Sequence, residues 1–575
     1  MKCSKLLLSL LTAGLILCGC SSVDPKQESD THETEVQAPG ELCLFENGQA
    51  AYTIVQPDLG SDIVYAAGTL CWKTLLQNYN AELMLANDWT ADPSAIPTDT
   101  LEILIGDTNR PESAEAKASL GNAAYRITCM NDRIVIVAAH EALLEQATAV
   151  FLENISADAN GRVTVPGDLD ITFAYEWPFP DLPVYENSNT LNIPFQETCG
   201  HQVENPSTLL GIADTTADEF NAYIQKVEEA GFTVVQRADW DSVIAYQCNK
   251  DDLSFYIYYT PNTKEVHIIQ DNSHTASLEE FNYTCETEEG AFNSVFMFGM
   301  EAPVMDDDGS EIAGIGQLLF VKLADNSLLV IDGGHDPAPN SAEFMRLARE
   351  LTGTPEGEKV RIACWFITHG HGDHIWGFNR ILNEYADQLT LERIMYNHRA
   401  NGPTIPVPPA DKYPDILYHI PRTGETIQFG TLTMDVLYTH EDSVDTTYSV
   451  YTTDEYNDSS TVLRINFDGK TCIILGDSDK KVEEVLLNYY PEEQLKADVV
   501  QLAHHGINYL GKLYRAIDAE IALAPCQLWK YQYLSTANLI SSISEEAYCC
   551  DETIGIRVTN GETDVYYRSP AVFND

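Results

Sequence analysis

The chain has 575 residues and a formal net charge of −55 at pH 7. That length is too great for one hydrophobic core, and ordinary domain sizes predict roughly three or four units. The excess of acidic groups disfavours nucleic acid as a partner, because nucleic-acid binding depends on Lys and Arg side chains that neutralise phosphates. The negative charge is expected to repel long polyanions, but it is compatible with small-molecule and cell-envelope substrates.

The N-terminus has the pattern of a processed leader, in which a short basic stretch precedes an apolar run over residues 6–17. The segment Leu17-Cys-Gly-Cys20 resembles the lipobox of bacterial lipoproteins, which implies a signal peptide over residues 1–20 and lipid on Cys20. Residues 21–40 are almost entirely polar and are predicted to form a disordered tether. No later segment offers ~18 uninterrupted apolar residues. The protein is therefore expected at the extracytoplasmic face of a bacterial membrane, held there by its N-terminal lipid.

Two modules precede the stretch that carries chemistry. Residues 41–185 alternate strand and helix patterns and are predicted to form an α/β accessory domain. In residues 190–282, a helix pattern that starts at Phe220 is followed by several alternating strands, which predicts a small α+β domain with one helix on an antiparallel sheet. Neither module carries a motif that identifies an activity.

The densest cluster of candidate ligands is Ile367-Thr-His-Gly-His-Gly-Asp-His374. An apolar run before it predicts a buried strand, and residues 376–389 after it are predicted to be a helix. The intervening glycines allow a tight loop that brings the imidazoles and the carboxylate together. Imidazole and carboxylate donors suit Zn²⁺, with manganese or iron also possible.

Four segments in sequence order carry a family resemblance, and each lies at the end of an apolar strand. They are Asp332-Gly-Gly334, the cluster ending at His374, Gly476-Asp477 and His504-His-Gly506. In content and order they resemble the metallo-β-lactamase superfamily. The resemblance implies that residues 285–575 are a catalytic domain with the αβ/βα sandwich fold, preceded by the two smaller domains.

Within that superfamily, the second half resembles the C-terminal domain of competence proteins of the ComEC type. The shared features include Asn457-Asp-Ser-Ser-Thr-Val-Leu463 and the His-His-Gly segment. The family usually has Ser directly after His-His-Gly, where this chain has Ile507. This substitution leaves the details of substrate handling open.

The resemblance also implies a ligand set for two metal ions. His369 and His371 would hold the first ion, Asp373 and His374 the second, and Asp477 would bridge the two. His504 is preferred as the last ligand of the second site, because it directly follows the strand. His505 is then predicted to lie behind the ligands or to donate a proton, so the catalytic candidates are Asp373 and His505. Asp332 is predicted to orient the ligands.

The first ion lacks one ligand at its usual place in the sequence. Superfamily members usually have a His shortly before the strand that leads to Gly-Asp, where this chain has Tyr456-Asn-Asp-Ser459. Asn457 or Asp458 could replace it, and His440 could reach in from the preceding strand. His398 is a further candidate, for the metal or for substrate.

Two neighbouring ions would lower the pKa of a shared water and supply hydroxide at neutral pH, which indicates hydrolysis. The competence-type resemblance favours phosphodiesters, while carboxylic esters also fit. The expected function is thus a lipid-anchored metallohydrolase that acts on small or cell-surface substrates. The alternatives are a surface binding or scaffold protein with a structural or vestigial metal site, and a nuclease of the competence type.

Overall fold

A computed structural model describes the chain between residues 40 and 571 except for several internal segments. The described ranges are 40–90, 100–121, 123–139, 141–174, 177–185, 195–197, 207–272, 275–285, 287, 289–300, 304–305, 311–312, 316–335, 338–397, 408–445, 450–451 and 456–571. The predicted leader, the lipidation site at Cys20 and the predicted tether up to residue 39 lie outside the described residues. In the described ranges, no helix is long and apolar enough to cross a membrane.

The N-terminal module is built on a mixed six-stranded sheet. The helix Pro111–Ala118 packs on one face of the sheet, and the helices Asp62–Tyr79 and Leu144–Glu153 pack on the other. Four neighbouring strands run parallel and the other two are antiparallel. In sheet order the strands are Asp170–Phe173, Tyr125–Met130, Arg133–Ala138, Glu102–Ile105, Thr53–Gln56 and Met84–Asn87. A second, smaller sheet contains Gln49–Ala50, Glu41–Glu46, Val163–Pro166 and Ser156–Ala157.

The second module is a six-stranded antiparallel sheet with one long helix, Ala217–Glu229, as the alternating pattern predicts. The helix begins with a capping box between Thr216 and Glu219, which satisfies free amides of the first turn. Its apolar side packs on one face of the sheet. In sheet order the strands are Phe195–Glu197, Ser207–Ile212, Glu265–Gln270, Leu253–Thr260, Ile244–Lys250 and Thr233–Asp239.

The opposite face of that sheet is also covered. It shares one apolar core with the C-terminal region, in which Tyr256 and Tyr258 are fully buried. The Tyr256 hydroxyl donates to the carbonyl oxygen of Thr423 at 2.9 Å, and the Tyr258 hydroxyl donates to Oδ1 of Asp442 at 2.7 Å. The second module is therefore packed between its own helix and the C-terminal region.

The C-terminal region contains two large sheets that pack face to face over a common apolar core. The first sheet runs Leu417–His419, Arg393–Tyr396, Val360–Ile367, Leu328–Ile331, Leu319–Lys322, Ser294–Met297, Glu552–Thr559 and Glu562–Pro570, with Leu389–Leu391 also paired to Val360–Ile367. The second runs Thr426–Phe429, Leu432–Tyr438, Val462–Phe467, Lys470–Ile474, Val499–Gln501, Ile521–Ala524 and Glu546–Cys549.

Helices cover the outer face of each sheet. Ala338–Thr352 and Gly372–Glu384 pack on the first sheet, whereas Lys480–Tyr489, Gly511–Ile517 and Ser535–Ile543 pack on the second. Short elements complete the region: Leu278–Phe281, Val304–Met305, Glu311–Ile312, Ala386–Gln388, His440–Ser443, Val444–Asp445, Val450–Tyr451, Tyr456–Ser459, Glu492–Leu495, His504–Gly506 and Leu528–Tyr531. The order helix, sheet, sheet, helix is the αβ/βα sandwich that the resemblance implies.

The candidate ligands lie where strands of both sheets end. Asp332 follows the strand Leu328–Ile331, and the first histidines follow the parallel strand Val360–Ile367. Asp477 and the His504-His505 pair follow two parallel strands of the second sheet. The helix after the first histidines begins already at Gly372 rather than at residue 376, so Asp373 and His374 belong to its first turn.

Candidate metal centre

The structure brings six of the predicted site residues into two overlapping clusters. One cluster contains Asp373, His374, Asp477 and His505, and the other contains His369, His371 and again Asp477. Within each cluster the ligand atoms all lie within 4.8 Å of one another. Asp477 belongs to both, which is the position that the sequence predicts for a bridging carboxylate.

Several potential ligand atoms in these clusters have no hydrogen-bond partner within the described ranges. His374 Nε2 lies 3.1 Å from Asp477 Oδ1, yet both atoms are buried and have no hydrogen bond to any residue that the structure describes. His369 Nε2 lies 3.7 Å from Asp477 Oδ2. Buried polar atoms without partners are costly, and native proteins seldom leave them so. A cation held between these atoms would satisfy them, so the residues present fit the metal that the sequence predicts.

The pair of histidines after the second sheet differs from the prediction. His505 Nε2 lies 3.1 Å from Asp373 Oδ2 and 3.6 Å from Asp477 Oδ2. His504 is part of neither cluster, and about a third of its side chain is exposed. Both residues have positive φ, 50° and 57°, so the backbone turns sharply at the strand end and carries the second histidine inward. The structure therefore places His505 rather than His504 in the cluster, and His504 lies at the rim of the site.

Asp332 lies behind the cluster of Asp373, His374, Asp477 and His505 and contacts its His374 ring. It is fully buried and accepts hydrogen bonds from the Thr368 amide at 2.7 Å and from the Thr368 hydroxyl at 2.9 Å. Its Oδ2 also lies 2.8 Å from His374 Nδ1. This contact keeps Nδ1 occupied and leaves Nε2 of the same ring to face the cluster.

The buried side-chain amides of Gln317 and Gln501, which the sequence motifs did not indicate, support the site. Gln317 Nε2 donates to Asp332 Oδ2 at 2.9 Å. Gln501 Oε1 accepts from the amides of Leu475 and Gly476 at 2.8 Å each, which fixes the turn that presents Asp477. A Gln at the end of the apolar strand Val499–Gln501 is the sequence signal that could have indicated this role, because a buried amide needs partners.

Gly476 has positive φ in that same turn, and only glycine fits there without strain. A Cβ on Gly476 would come within 2.9 Å of the Ser460 side chain. Ser460 also accepts a hydrogen bond from the Asp477 amide at 3.0 Å. The close approach of Ser460 and Gly476 thus positions the carboxylate that both clusters share.

The histidines of the two clusters differ in the direction of their pKa shifts. Burial lowers the pKa of His369 and of His371, which keeps both rings neutral and able to bind a metal. Burial acts in the same direction on His374, but the nearby carboxylates of Asp477 and Asp332 outweigh it and raise the pKa of that ring. The clusters therefore attract positive charge at the place where a cation would sit.

The carboxylates of the clusters respond to the same neighbours. Burial would raise the pKa of Asp477, yet the adjacent rings of His374 and His505 hold it well below its usual range. The same two rings lower the pKa of Asp373 against the effect of burial. Both groups are therefore carboxylates at neutral pH, the state in which they bind a metal ion.

The candidates for the missing ligand of the first ion occupy different places. His440 is buried and its Nε2 lies 2.9 Å from Asn397 Oδ1, outside both clusters. Asp458 accepts a hydrogen bond from the Asp479 amide at 3.0 Å and holds the loop after Asp477. His398 lies outside the described residues.

Asn457 is the candidate that the structure places against the site. Its Nδ2 lies 3.4 Å from His504 Nδ1, and its Oδ1 is buried without a hydrogen-bond partner in the described part of the chain. An amide oxygen is an acceptable donor to a divalent cation. Asn457 therefore remains the candidate for the missing contact.

Comparison with known proteins adds little to this geometry. No family model matches the sequence, and no curated protein matches it. A solved metal-dependent hydrolase of the β-lactamase superfamily aligns with 45% of this chain and 96% of its own length, at 12% identity and a TM-score of 0.26. The flavodiiron protein from Giardia intestinalis aligns with 40% of this chain and 50% of its own, at 14% identity and a TM-score of 0.20. Scores this low carry no argument about activity, so the fold assignment rests on the two packed sheets.

Proposed function

We propose that this chain is a metal-dependent hydrolase of the metallo-β-lactamase superfamily, with two ions bound in its C-terminal sandwich. The observation that carries the proposal is the pair of clusters that share Asp477, because it provides two adjacent cation positions inside one site. The resemblance of the four sequence segments to that superfamily supports the same conclusion. Zinc is the preferred metal, since the donors are imidazole and carboxylate, with manganese or iron as alternatives.

Each residue of the two clusters has a proposed role in metal binding. His369 and His371 would hold the first ion, and Asp373, His374 and His505 the second, with Asp477 between them. When bound, the ions would lower the pKa of a water molecule and accept negative charge that develops on the attacked group. Asp332, Gln317 and Gln501 keep the donors in position and their ring nitrogens in the required tautomer.

His504 is the candidate for moving a proton at the rim. Its ring is partly exposed, and its Nε2 lies 3.8 Å from Asp477 Oδ2. Its Nδ1 lies 3.2 Å from Asn508 Oδ1, which orients the ring. His504 thus takes over the proton-donor role that the sequence alone assigned to His505, because His505 is needed as a ligand.

We further propose that the substrate is a small or cell-surface phosphodiester or ester. The net charge of −55 disfavours long nucleic acids. The competence-type resemblance supports phosphodiester chemistry, and the lipobox supports action at the outer face of a bacterial membrane, with the protein anchored through Cys20.

The test combines metal content with turnover in the purified full-length protein. Metal content is measured directly, and hydrolysis of bis-p-nitrophenyl phosphate and p-nitrophenyl acetate is followed before and after chelation. The expected result is bound metal and turnover that chelation abolishes. Asp477→Asn should remove both, whereas His419→Gln, which changes a buried histidine outside the clusters, should retain them.

Two outcomes would contradict the proposal. A protein without metal and without turnover would favour the surface binding or scaffold function. Efficient cleavage of duplex DNA at physiological salt would instead favour the nuclease of the competence type, with a local basic groove that offsets the global charge.

A further inference from the structure

Exposed apolar side chains are concentrated around the candidate metal centre. In the part of the C-terminal region that the structure describes, six large apolar side chains are at least 38% exposed, and all six lie in segments that adjoin ligand loops. We call them the apolar rim: Trp376, Ile507, Tyr509, Leu528, Trp529 and Tyr533. Large apolar groups gathered at the mouth of a site mark a binding surface rather than ordinary surface scatter.

Trp376 forms one side of the rim. Its indole lies over Gly372, so close that a Cβ on that glycine would come within 2.3 Å of the ring. Gly372 stands between the ligand candidates His371 and Asp373, and 44% of Trp376 remains exposed. The indole therefore covers the ligand loop and keeps a free face toward solvent.

Ile507 and Tyr509 form a second side of the rim. They follow the His504-His-Gly506 turn, and Asn508 between them donates from Nδ2 to the Ser478 carbonyl at 3.0 Å. This bond fastens the segment to the turn that carries Asp477. Ile507 is 38% exposed and Tyr509 is 43% exposed.

The remaining members extend this second side. They belong to the segment that begins with the short helix Leu528–Tyr531, whose buried Tyr531 ring packs against Gly506 of the His-His-Gly turn. A Cβ on Gly506 would lie 3.6 Å from that ring. With Tyr531 as the anchor, Trp529 and Tyr533 stay 48% and 83% exposed.

We propose that the apolar rim binds a non-reacting apolar part of the substrate, so that this enzyme prefers esters and phosphodiesters that carry an acyl or aromatic group. The inference rests on the proposed function and names its substrate class. Binding energy from a remote apolar group can be used to orient the reacting bond. Each methylene that becomes buried is expected to raise kcat/KM by up to about fourfold.

The position of the rim favours a substrate over other occupants. Its members stand on separate segments that contact the ligand loops, so a protein bound across them would cover the metal centre. A net charge of −55 also opposes close approach to an anionic lipid surface. An amphiphilic substrate satisfies both constraints, because its apolar part meets the rim while its ester reaches the ligands.

The first experiment compares methyl, butyl and octyl p-nitrophenyl phosphate as substrates of the full-length protein. We expect kcat/KM to rise at least tenfold from methyl to octyl. The rise should be lost in Trp376→Ala and Trp529→Ala and retained in Trp89→Ala, which removes an exposed indole of the N-terminal module. Turnover that is the same for all three chain lengths would overturn the inference and leave the proposed function intact.

A binding measurement separates failure of the inference from failure of the proposed function. Calorimetric titration with butyl and octyl phosphate requires no turnover. Octyl phosphate should bind at least tenfold more tightly than butyl phosphate to the wild type and to Trp89→Ala, and this difference should be lost in Trp376→Ala and Trp529→Ala. Equal affinities would refute the rim as a substrate site even in an inactive protein. Sedimentation with phosphatidylcholine vesicles that depends on Trp529, together with equal affinities, would assign the rim to membrane contact instead.

Discussion

The buried imidazole of His267 should make the protein measurably sensitive to acid. The residue lies in the strand Glu265–Gln270, is fully buried, and has no hydrogen-bond partner on either ring nitrogen among the residues that the structure describes. Its ring stacks on Tyr258, with the ring centres 4.6 Å apart. Burial lowers the pKa of His267 from 6.5 to about 3. The folded protein therefore resists a proton that the unfolded chain accepts below pH 6.5.

The size of the effect follows from the two pKa values. Well above pH 6.5 the ring is neutral in both states and makes no difference to stability. As the pH falls, the unfolded state gains the proton first, and the folded state loses about 1.4 kcal/mol of stability for each pH unit. At pH 4.5 the loss amounts to about 3 kcal/mol relative to a chain without this imidazole. His267→Phe removes the titrating group and keeps an aromatic ring against Tyr258.

The nearby titrating groups are the same in both proteins. Burial raises the pKa of Asp442 to about 7, which opposes the effect of His267, because the folded state then binds the extra proton. Burial would also raise the pKa of Glu441, but His440 and Arg422 lower it to about 2. A difference between wild type and variant removes these common contributions and isolates His267.

The assay is urea denaturation followed by tryptophan fluorescence at pH 7.5 and pH 4.5. His267→Phe should lose about 3 kcal/mol less stability than the wild type between these pH values. His419→Gln is the control of opposite sign: burial lowers the pKa of His419, but Glu425 outweighs burial and raises it. That variant should lose more stability on acidification than the wild type does. Identical pH dependence of wild type and His267→Phe would refute the reasoning.

Three further predictions concern the metal centre and the anchor. Asp477→Ala should abolish binding of both ions, measured as metal content, because both clusters share that carboxylate. Asn457→Ala should weaken binding of the first ion only, if its Oδ1 supplies the missing contact. A metal stoichiometry unchanged from the wild type would contradict this. Asp332→Ala should weaken metal affinity about 10- to 100-fold, measured by competition with a chelator, since His374 loses its orienting partner. Cys20→Ala should release the protein to the medium or leave it unprocessed, and membrane retention of cleaved protein would count against lipidation.

Sequence patterns predicted most of the fold of the C-terminal region, and they singled out the six residues that the structure brings together in the two clusters. Apolar strands followed by His, Asp and Gly identify strand ends, and the ends of parallel strands meet at one edge. These patterns could not predict which of His504 and His505 faces the cluster. The outcome depends on two successive residues with positive φ, a backbone feature that a histidine pair does not signal.

Long-range contacts explain the other differences. His440 follows a strand as a ligand would, yet its ring is satisfied by Asn397, a residue far away in the sequence. The tyrosines of the second module alternate as expected for a strand, but their pattern alone cannot say which surface covers them. Only the fold shows that Tyr256 and Tyr258 face the C-terminal region.

Both faces of the second module's sheet are buried, and this limits the positions at which the protein can be truncated without loss of folding. A fragment that starts at residue 285 would uncover the surface that receives Tyr256 and Tyr258, and leave the acceptors at Thr423 and Asp442 without their donors. Such a fragment should aggregate or lose the loop that carries Asp442. The shortest soluble catalytic fragment should therefore retain the chain from about residue 177, where the apolar cluster of the second module begins.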